Sequence, residues 1–325
     1  MTVTYWAMVH GDSDGVACGA LSMQALSHVN DVKVYFTHPA GLAEDLAHVK
    51  PGDSVFIADI ALSESHVAEL ISLLERVLDN GGSVIYVDHH PLPLDLSVSD
   101  IPGTVVHDVG ASASELVYRR LWPGLGRLGE RVALLGAIGD YLDDTLWVRD
   151  ALERWDKRHI YFEAGVLSQG LEGSRRMYDF KREVVRHLAS GALPSSLEKL
   201  LHRAAYQAAR DEEMRIFVEH HAKRLGHIAY VIEPPGSVGK AARYAMVSRG
   251  TLVGVAIERR NDVAIMSLRA PRSGPDLNRI LRRIAKSLGG TGGGHPWAAG
   301  ARIPWNRLSE FLRLLASELE GSIAD

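Results

Sequence analysis

Short apolar runs alternate with helical stretches over about the first 110 residues, and three of those runs stop at a histidine or an acid. Residues 6–9, 32–36, 54–58 and 84–87 are each too short for a helix and bounded by loop residues, so they read as strands, with 104–107 as a short fifth. Between them lie helical patterns. In 63–78, Val67, Leu70, Ile71, Leu74 and Leu78 form an i, i+3, i+4, i+7 stripe that Asn80-Gly81-Gly82 ends. Repetition of strand, loop, helix and strand predicts an α/β domain built on a parallel sheet. That order also fixes where chemistry can sit, because residues just past the carboxyl ends of parallel strands face the ligand crevice.

The residues at those positions are acids and histidines. His10, Asp12 and Asp14 follow the first run as H-x-D-x-D, Asp59 follows the third, and Asp88-His89-His90 follows the fourth. Asp12, Asp14 and Asp59 also precede helical segments, where an acid is a common cap. One acid suffices for a cap, whereas alternate residues of an extended loop project to one side and let His10, Asp12 and Asp14 converge. Helices are expected at 111–121 and 126–138, and the second runs into Asp140. An acid there meets the negative end of the helix dipole, so capping does not account for it. Asp143 and Asp144 read as solvated loop residues. Asp12, Asp14, Asp59, Asp88 and Asp140, gathered at one sheet edge, cannot all stay ionised without counter-charge. Two divalent cations supply it. Carboxylates with one or two histidines favour manganese over zinc, with magnesium as the alternative ion. A metal pair about 3.5–4 Å apart clamps a phosphoryl group and lowers the pKa of water.

At 325 residues the chain has room for two domains, and its 46% hydrophobic and 23% charged content suits ordinary globular cores. A net charge of −4 excludes a broad basic surface for duplex DNA. Cys18 is the only cysteine, which excludes an intramolecular disulfide and a cysteine-based zinc site. Residues 1–9 lack the basic start and apolar stretch of a signal peptide, and no apolar run approaches the ~18 residues of a membrane span. A cytoplasmic protein without membrane contact is the expectation.

Residues 152–223 are charged and helical, with breaks at 170–173 and 191–194, and carry no evident chemistry. Arg175, Arg176, Lys181, Arg182 and Arg186 form a basic stretch that reads as a solvated face, with a nucleic-acid track as the alternative. A strand at 227–232, a helix at 238–248, a hairpin of 252–258 with 263–269, and a helix at 276–288 follow. The last helix runs into residues 289–300, of which six are glycine. No Lys-[ST] follows, which excludes a P-loop, but glycine-freed N–H groups can cradle an anion.

In order and spacing, His10-x-Asp12-x-Asp14, the strand-end Asp59, Asp88-His89-His90 and the downstream Asp140 resemble the four motifs of the DHH phosphoesterase superfamily, over about residues 1–190. Gly292-Gly293-Gly294-His295-Pro296 with Ala298-Ala299-Gly300 resembles the glycine signature of the DHH-associated domain. Ser267-Leu268-Arg269 resembles its serine-x-arginine strand. The resemblance implies an α/β fold with an N-terminal parallel-sheet domain (1–190), a helical connector (191–224), and a smaller C-terminal α/β substrate-binding domain (225–325) across a cleft. It implies that His10 and Asp12 hold one metal and Asp14, His89 and Asp140 the other, with Asp59 bridging. Asp88 would then orient a ligand and His90 would face the substrate phosphate. In the second domain, Arg269, Gly292, Gly293, Gly294 and His295 would grip the nucleotide end. A second domain of this type is unlike that of manganese pyrophosphatases.

The activity implied is that of a manganese-dependent exonuclease or oligonucleotidase of the RecJ and nanoRNase type, acting on short single-stranded RNA or DNA from an end. The alternative within the class is a phosphatase or phosphodiesterase for small nucleotides such as 3′-phosphoadenosine 5′-phosphate or cyclic dinucleotides. In another class stands a non-catalytic replication partner, of the kind that has lost metal ligands; this chain keeps all of them. A replication-protein partner and a homo-oligomer stay open. Trp297 occupies a slot that is commonly polar or small in the relatives resembled. An indole two residues from His295 would stack on a base; the other reading is packing in the core beside Trp305.

Overall fold

The computed structural model describes residues 4–26, 32–174 and 176–321, and the chain divides into two compact units, Met1–Gln207 and Ala208–Asp325. Arg175 of the basic stretch lies outside the described residues. In the first unit, β1 (Tyr5–Val9), α1 (Ser13–Ala25), β2 (Val32–Phe36), α2 (Leu42–Ala47), β3 (Ser54–Ala58), α3 (Val67–Asp79), β4 (Val84–Asp88) and β5 (Thr104–His107) follow in turn. The strands form one sheet in the order β2-β1-β3-β4-β5, and every pairing is parallel. Then come α4 (Ala113–Leu116), extended by a π-helical turn over Val117–Leu121, α5 (Gly126–Gly139), α6 (Leu146–Leu152), α7 (Lys157–Glu172), α8 (Tyr178–Ala189) and α9 (Glu198–His221).

Both sheet faces are covered, as the continuous apolar runs require. Because side chains alternate along a strand, Ala7, Val9, Phe56, Ala58 and Val87 pack on one face with residues of α1, α5, α7 and α8. Met8, Val55, Ile57, Val84 and Tyr86 pack on the other with Leu42 and Leu46 of α2 and Leu70, Leu74 and Val77 of α3. Each such large side chain contributes roughly 1.5–3 kcal/mol on burial. Helix α1 is buried from Ser13 to Ser22 because it lies between the sheet and the outer helices α5 and α8. That placement explains a helix rich in Gly, Ala, Cys and Ser rather than one with an amphipathic stripe.

In the second unit, the last turns of α9 pack Met214 and Val218 against β7 (Ile228–Ile232), which pairs with the short β6 (Lys223–Leu225). The rest comprises α10 (Val238–Arg249), β8 (Val253–Arg260), β9 (Val263–Arg269), α11 (Leu277–Ser287), β10 (Thr291–His295), β11 (Ala298–Pro304) and α12 (Leu308–Gly321). The sheet runs β10-β11-β9-β8-β7-β6; β7 and β8 are parallel and the other pairs antiparallel. Its larger core lies under α11 and α12, centred on Val255, Leu268, Leu281, Phe311 and Leu315. The glycine-rich stretch folds as an edge strand and hairpin rather than as an open loop, with Pro296 and Trp297 as its two-residue turn. Among the described residues no helix is long and apolar enough to cross a membrane.

Candidate metal centre

Helix α1 leaves β1 over one sheet face, whereas α2 and α3 lie on the other, so the carboxyl ends of β1 and β3 flank the point where the winding reverses. That is where a parallel sheet of this order opens a crevice. His10 follows β1 directly. Asp12 is the N-cap of α1, its Oδ1 accepting from Gly15 N at 3.1 Å, while its Oδ2 meets His10 Nδ1 at 2.8 Å. A capping role and a place in the cluster therefore coexist in one side chain. Asp14, fully buried, accepts from Ala113 N at 2.8 Å and Ser114 N at 3.1 Å at the start of α4.

Asp59 closes β3 with a φ of 61°, a left-handed conformation that costs a non-glycine residue about 1–3 kcal/mol. It turns the carboxylate inward: His89 Nε2 lies 3.2 Å from Oδ1 and His10 Nδ1 3.8 Å from Oδ2. His89 Nε2 also lies 3.6 Å from Asp140 Oδ2. Asp140 reaches this point because α5 approaches α1 closely; a Cβ on Gly136 would stand 2.7 Å from Asp14 Oδ1, and one on Gly139 2.2 Å from Ser13 Oγ. Behind these groups, the buried Asp88 accepts from Tyr86 Oη at 3.0 Å and meets His90 Nδ1 at 2.8 Å.

Burial, and then the charges of Asp12, Asp14 and Asp140, hold the Asp59 carboxyl well above the ordinary carboxylate range. Burial likewise raises Asp14. Burial would raise Asp88 too, but the charge and hydrogen bond of His90 pull it below its ordinary value. The same pair acts in reverse on His90: burial opposes protonation, and Asp88, with Asp140 and Asp12, lifts its pKa to about 9. His89, buried, is lowered. The charge of Asp12, against burial, raises His10 as well. The cluster thus contains two imidazoles drawn toward the protonated form by acids, His90 and His10, one held toward neutral, His89, and carboxylates crowded against one another.

These residues fit divalent cations. Ligand atoms of His10, Asp12 and Asp59 lie within 4.8 Å of one another, as do those of Asp14, His89 and Asp140. Asp59, Asp88, His89 and His90 form an overlapping group. Oδ2 of Asp59 is buried without a hydrogen-bond partner, a costly state for a carboxylate oxygen that a cation would relieve.

Lys181 departs from the reading of the basic stretch as a solvated face. It is buried, and its Nζ donates to the carbonyl oxygen of Gly11, between His10 and Asp12. A Cβ on Gly11 would lie 2.6 Å from that Nζ. The sequence held a signal: Lys181 falls on the buried stripe of α8 with Phe180, Val184, Val185 and Leu188.

In the second unit, Arg269 closes β9. Its Nη1 donates to Ser267 Oγ at 3.0 Å and to Leu268 O at 2.9 Å, and its Nη2 would be 2.6 Å from a Cβ on Gly239 in the first turn of α10. Gly292 packs β10 onto α11, where a Cβ would meet Leu281 O at 3.0 Å. Gly293 and Gly294 have φ of 156° and 139°, and Gly294 N donates to Asn278 Oδ1 at 3.1 Å. The end of β10 and the turn after it place His295 beside Trp297, their rings stacked at 5.4 Å and 13°. Trp297 is half-buried in the hairpin turn with the Arg272 guanidinium 5.1 Å from its ring centre. Trp305 instead borders the larger core and carries Arg259 at 4.8 Å. The expectation that these two indoles share a core is therefore replaced by a cation–indole–imidazole group at the turn.

Residues 225–321 match the family model of the DHHA1 domain. Among solved structures, RecJ from Thermus thermophilus in complex with Mn2+ aligns with a TM-score of 0.69 at 17% identity, over 98% of this chain and 52% of that one. The chain thus spans about half the length of that RecJ. A DHH domain from a member of the s1p family of ribosomal proteins aligns with a TM-score of 0.72 at 16% identity, over 98% of this chain and 86% of the other. A pGpG-specific phosphodiesterase, PggH from Vibrio cholerae, aligns at 0.56 and 14% identity, over 98% and 99%. No curated protein sequence matches the chain. The chain has the fold of these DHH proteins and carries a DHHA1 domain, the class that the motifs of its first half resemble.

Proposed function

We propose that the chain is a phosphoesterase dependent on two divalent metal ions, manganese first, that hydrolyses short single-stranded RNA or DNA from an end. The observation that carries the reading is the arrangement about Asp59: one buried carboxylate stands between two donor sets, with one oxygen lacking any hydrogen-bond partner. His10 and Asp12 would hold one ion, Asp14, His89 and Asp140 the other, and Asp59 would serve both. When bound, the ions supply charge for the phosphoryl oxygens and a lowered pKa for the attacking water. The chain's own groups do the rest. Asp88, fixed by Tyr86, keeps His90 protonated and oriented, so that a cationic N–H donor faces the phosphoryl group as negative charge develops. Lys181 holds the Gly11 peptide and with it the spacing of His10 and Asp12. Arg269, the Gly292–Gly293–Gly294 strand, His295 and Trp297 bind the nucleotide end.

A second reading, hydrolysis of small nucleotides such as cyclic dinucleotides, their linear products or 3′-phosphoadenosine 5′-phosphate, is favoured by one observation. The residues present here align with 99% of the chain of PggH, a phosphodiesterase specific for the small nucleotide pGpG. One experiment separates the two readings: the protein with manganese on labelled dinucleotides, longer RNA and DNA, cyclic dinucleotides and 3′-phosphoadenosine 5′-phosphate. Turnover of linear oligonucleotides with release of mononucleotides supports the first reading. Turnover confined to the small nucleotides supports the second, and no turnover on any of them rejects both.

A further inference from the structure

At the carboxyl ends of β1, β3 and β4, a carbonyl oxygen beside a candidate metal ligand accepts from a side chain of another element. Lys181 Nζ donates to Gly11 O, between His10 and Asp12. Tyr86 Oη shares its proton between Asp88 and the carbonyl oxygen of Ile60, next to Asp59, the latter at 2.8 Å. His107 Nε2 donates to His90 O, next to His89, at 2.7 Å. Such anchors fix peptides that the sheet itself no longer holds. Of the three side chains, His107 has no part in the function proposed above, and it belongs to none of the candidate metal-binding groups among the described residues.

His107 is the last residue of β5 and stands opposite Asp88 in the parallel pairing with β4. That pairing ends there, with Asp108 N donating to Asp88 O at 3.3 Å. His89 and His90 lie beyond it, and Pro91 has no N–H with which to extend a ladder. The half-buried His107 ring bridges the gap from β5. A carbonyl only accepts, so Nε2 carries a proton. His90 is thereby held twice: its imidazole by Asp88 Oδ1, 2.8 Å from Nδ1, and its peptide by His107. His89 is held differently, with Nε2 3.2 Å from Asp59 and 3.6 Å from Asp140.

We infer that His107 is a positioning residue for phosphoester hydrolysis: by donating to the His90 carbonyl it sets the peptide that aims the His90 imidazole at the phosphoryl group. This rests on the phosphoesterase reading above, whichever of its two substrate classes holds. Asp88 alone fixes one end of the imidazole and leaves the main chain that carries it free to shift. His107 removes that freedom. Its effect therefore falls on turnover, through His90, and not on the metal ions, whose ligand His89 has its own partners.

The test compares two variants of the full chain. His107→Leu keeps much of the bulk and loses the donor, whereas His107→Gln offers an amide N–H near the place of Nε2. Turnover is measured at saturating manganese on whichever of the nucleotides above the parent cleaves fastest, and manganese binding by calorimetry. His107→Leu should lower kcat about tenfold, since a displacement of about 1 Å at a reacting group costs up to ~10²-fold. KM and the manganese affinities should stay within about twofold, the mark of an effect confined to the transition state. His107→Gln should recover most of kcat. In a His90→Asn background, His107→Leu should change the residual kcat less than about twofold, because it acts through His90. An unchanged kcat in His107→Leu would overturn the proposal. So would equal losses in the Leu and Gln variants, which would make the ring a packing element, or an undiminished loss in the His90→Asn background. A fall in manganese affinity would move the effect to His89 and overturn it too. Each of these outcomes, with an active parent, rejects the role of His107 alone; a parent that turns over none of the nucleotides rejects the phosphoesterase reading and this role with it.

Discussion

Replacing Asp59 by asparagine separates what this residue costs the fold from what it gives the site. Asparagine keeps the shape and tolerates the left-handed backbone at φ 61°, where alanine would add about 1–2 kcal/mol of strain. At a pH above the raised pKa of Asp59, the change removes a desolvated charge that Asp12, Asp14 and Asp140 repel and that lacks a donor on Oδ2. Removing a poorly compensated buried charge stabilises by about 1–3 kcal/mol, and about 2–4 °C per kcal/mol applies to a unit of this size. The metal-free Asp59→Asn variant should therefore melt several degrees above the metal-free parent. Its function should move oppositely. A ligand shared by two ions underlies several kcal/mol of transition-state charge stabilisation, and a loss of about 4 kcal/mol is about a thousandfold in rate. Calorimetric titration with manganese, melting curves with and without the ion, and dinucleotide turnover read all three quantities. A variant that melts lower without metal, or that binds two manganese ions and keeps most of its activity, would refute the assignment.

Three further outcomes follow from the same geometry. Because Asp59 and Asp14 bind protons more tightly in the folded chain than in the unfolded one, they remove stability as pH rises through their raised folded pKa values. Manganese displaces those protons, so the gain in melting temperature at saturating ion should grow from pH 5 to pH 8; a gain independent of pH would contradict this. Lys181→Met keeps the buried stem but loses the donor to Gly11, and should lower manganese affinity and kcat about tenfold with little change in far-UV circular dichroism; unaltered affinity and kcat would return Lys181 to a packing role. Trp297→Ala should weaken oligonucleotide binding about tenfold, the worth of ~1–3 kcal/mol of stacking, and leave hydrolysis of bis-p-nitrophenyl phosphate and the melting temperature nearly unchanged; equal losses on both substrates would count against stacking.

Much of the first unit was legible because its strands are buried on both faces. Continuous apolar runs ending in Asp59 and Asp88 mark strand ends whether or not the helices between them are read correctly. Asp140 was legible as an acid out of place at a helix end, but what brings it to His89 is the glycine-lined approach of α5 to α1, a tertiary fact. Helix α2, a six-residue element, has no periodicity to read, and the edge strand β6 is exposed throughout. The glycine signature read as an anion cradle and concealed its secondary structure. Glycine has little preference for strand, and β10 exists because β11 and α11 hold it. Lys181 was misjudged by grouping it with its charged neighbours along the chain instead of with its apolar neighbours around the helix.

The central claim is that two metal ions share Asp59, and manganese electron paramagnetic resonance tests it most directly. Titrated into the purified chain, manganese should bind at two ions per chain and give the exchange-coupled spectrum of a pair about 3.5–4 Å apart, which Asp59→Asn should abolish. A single ion per chain, or two ions giving the resolved hyperfine signals of isolated manganese, would contradict it.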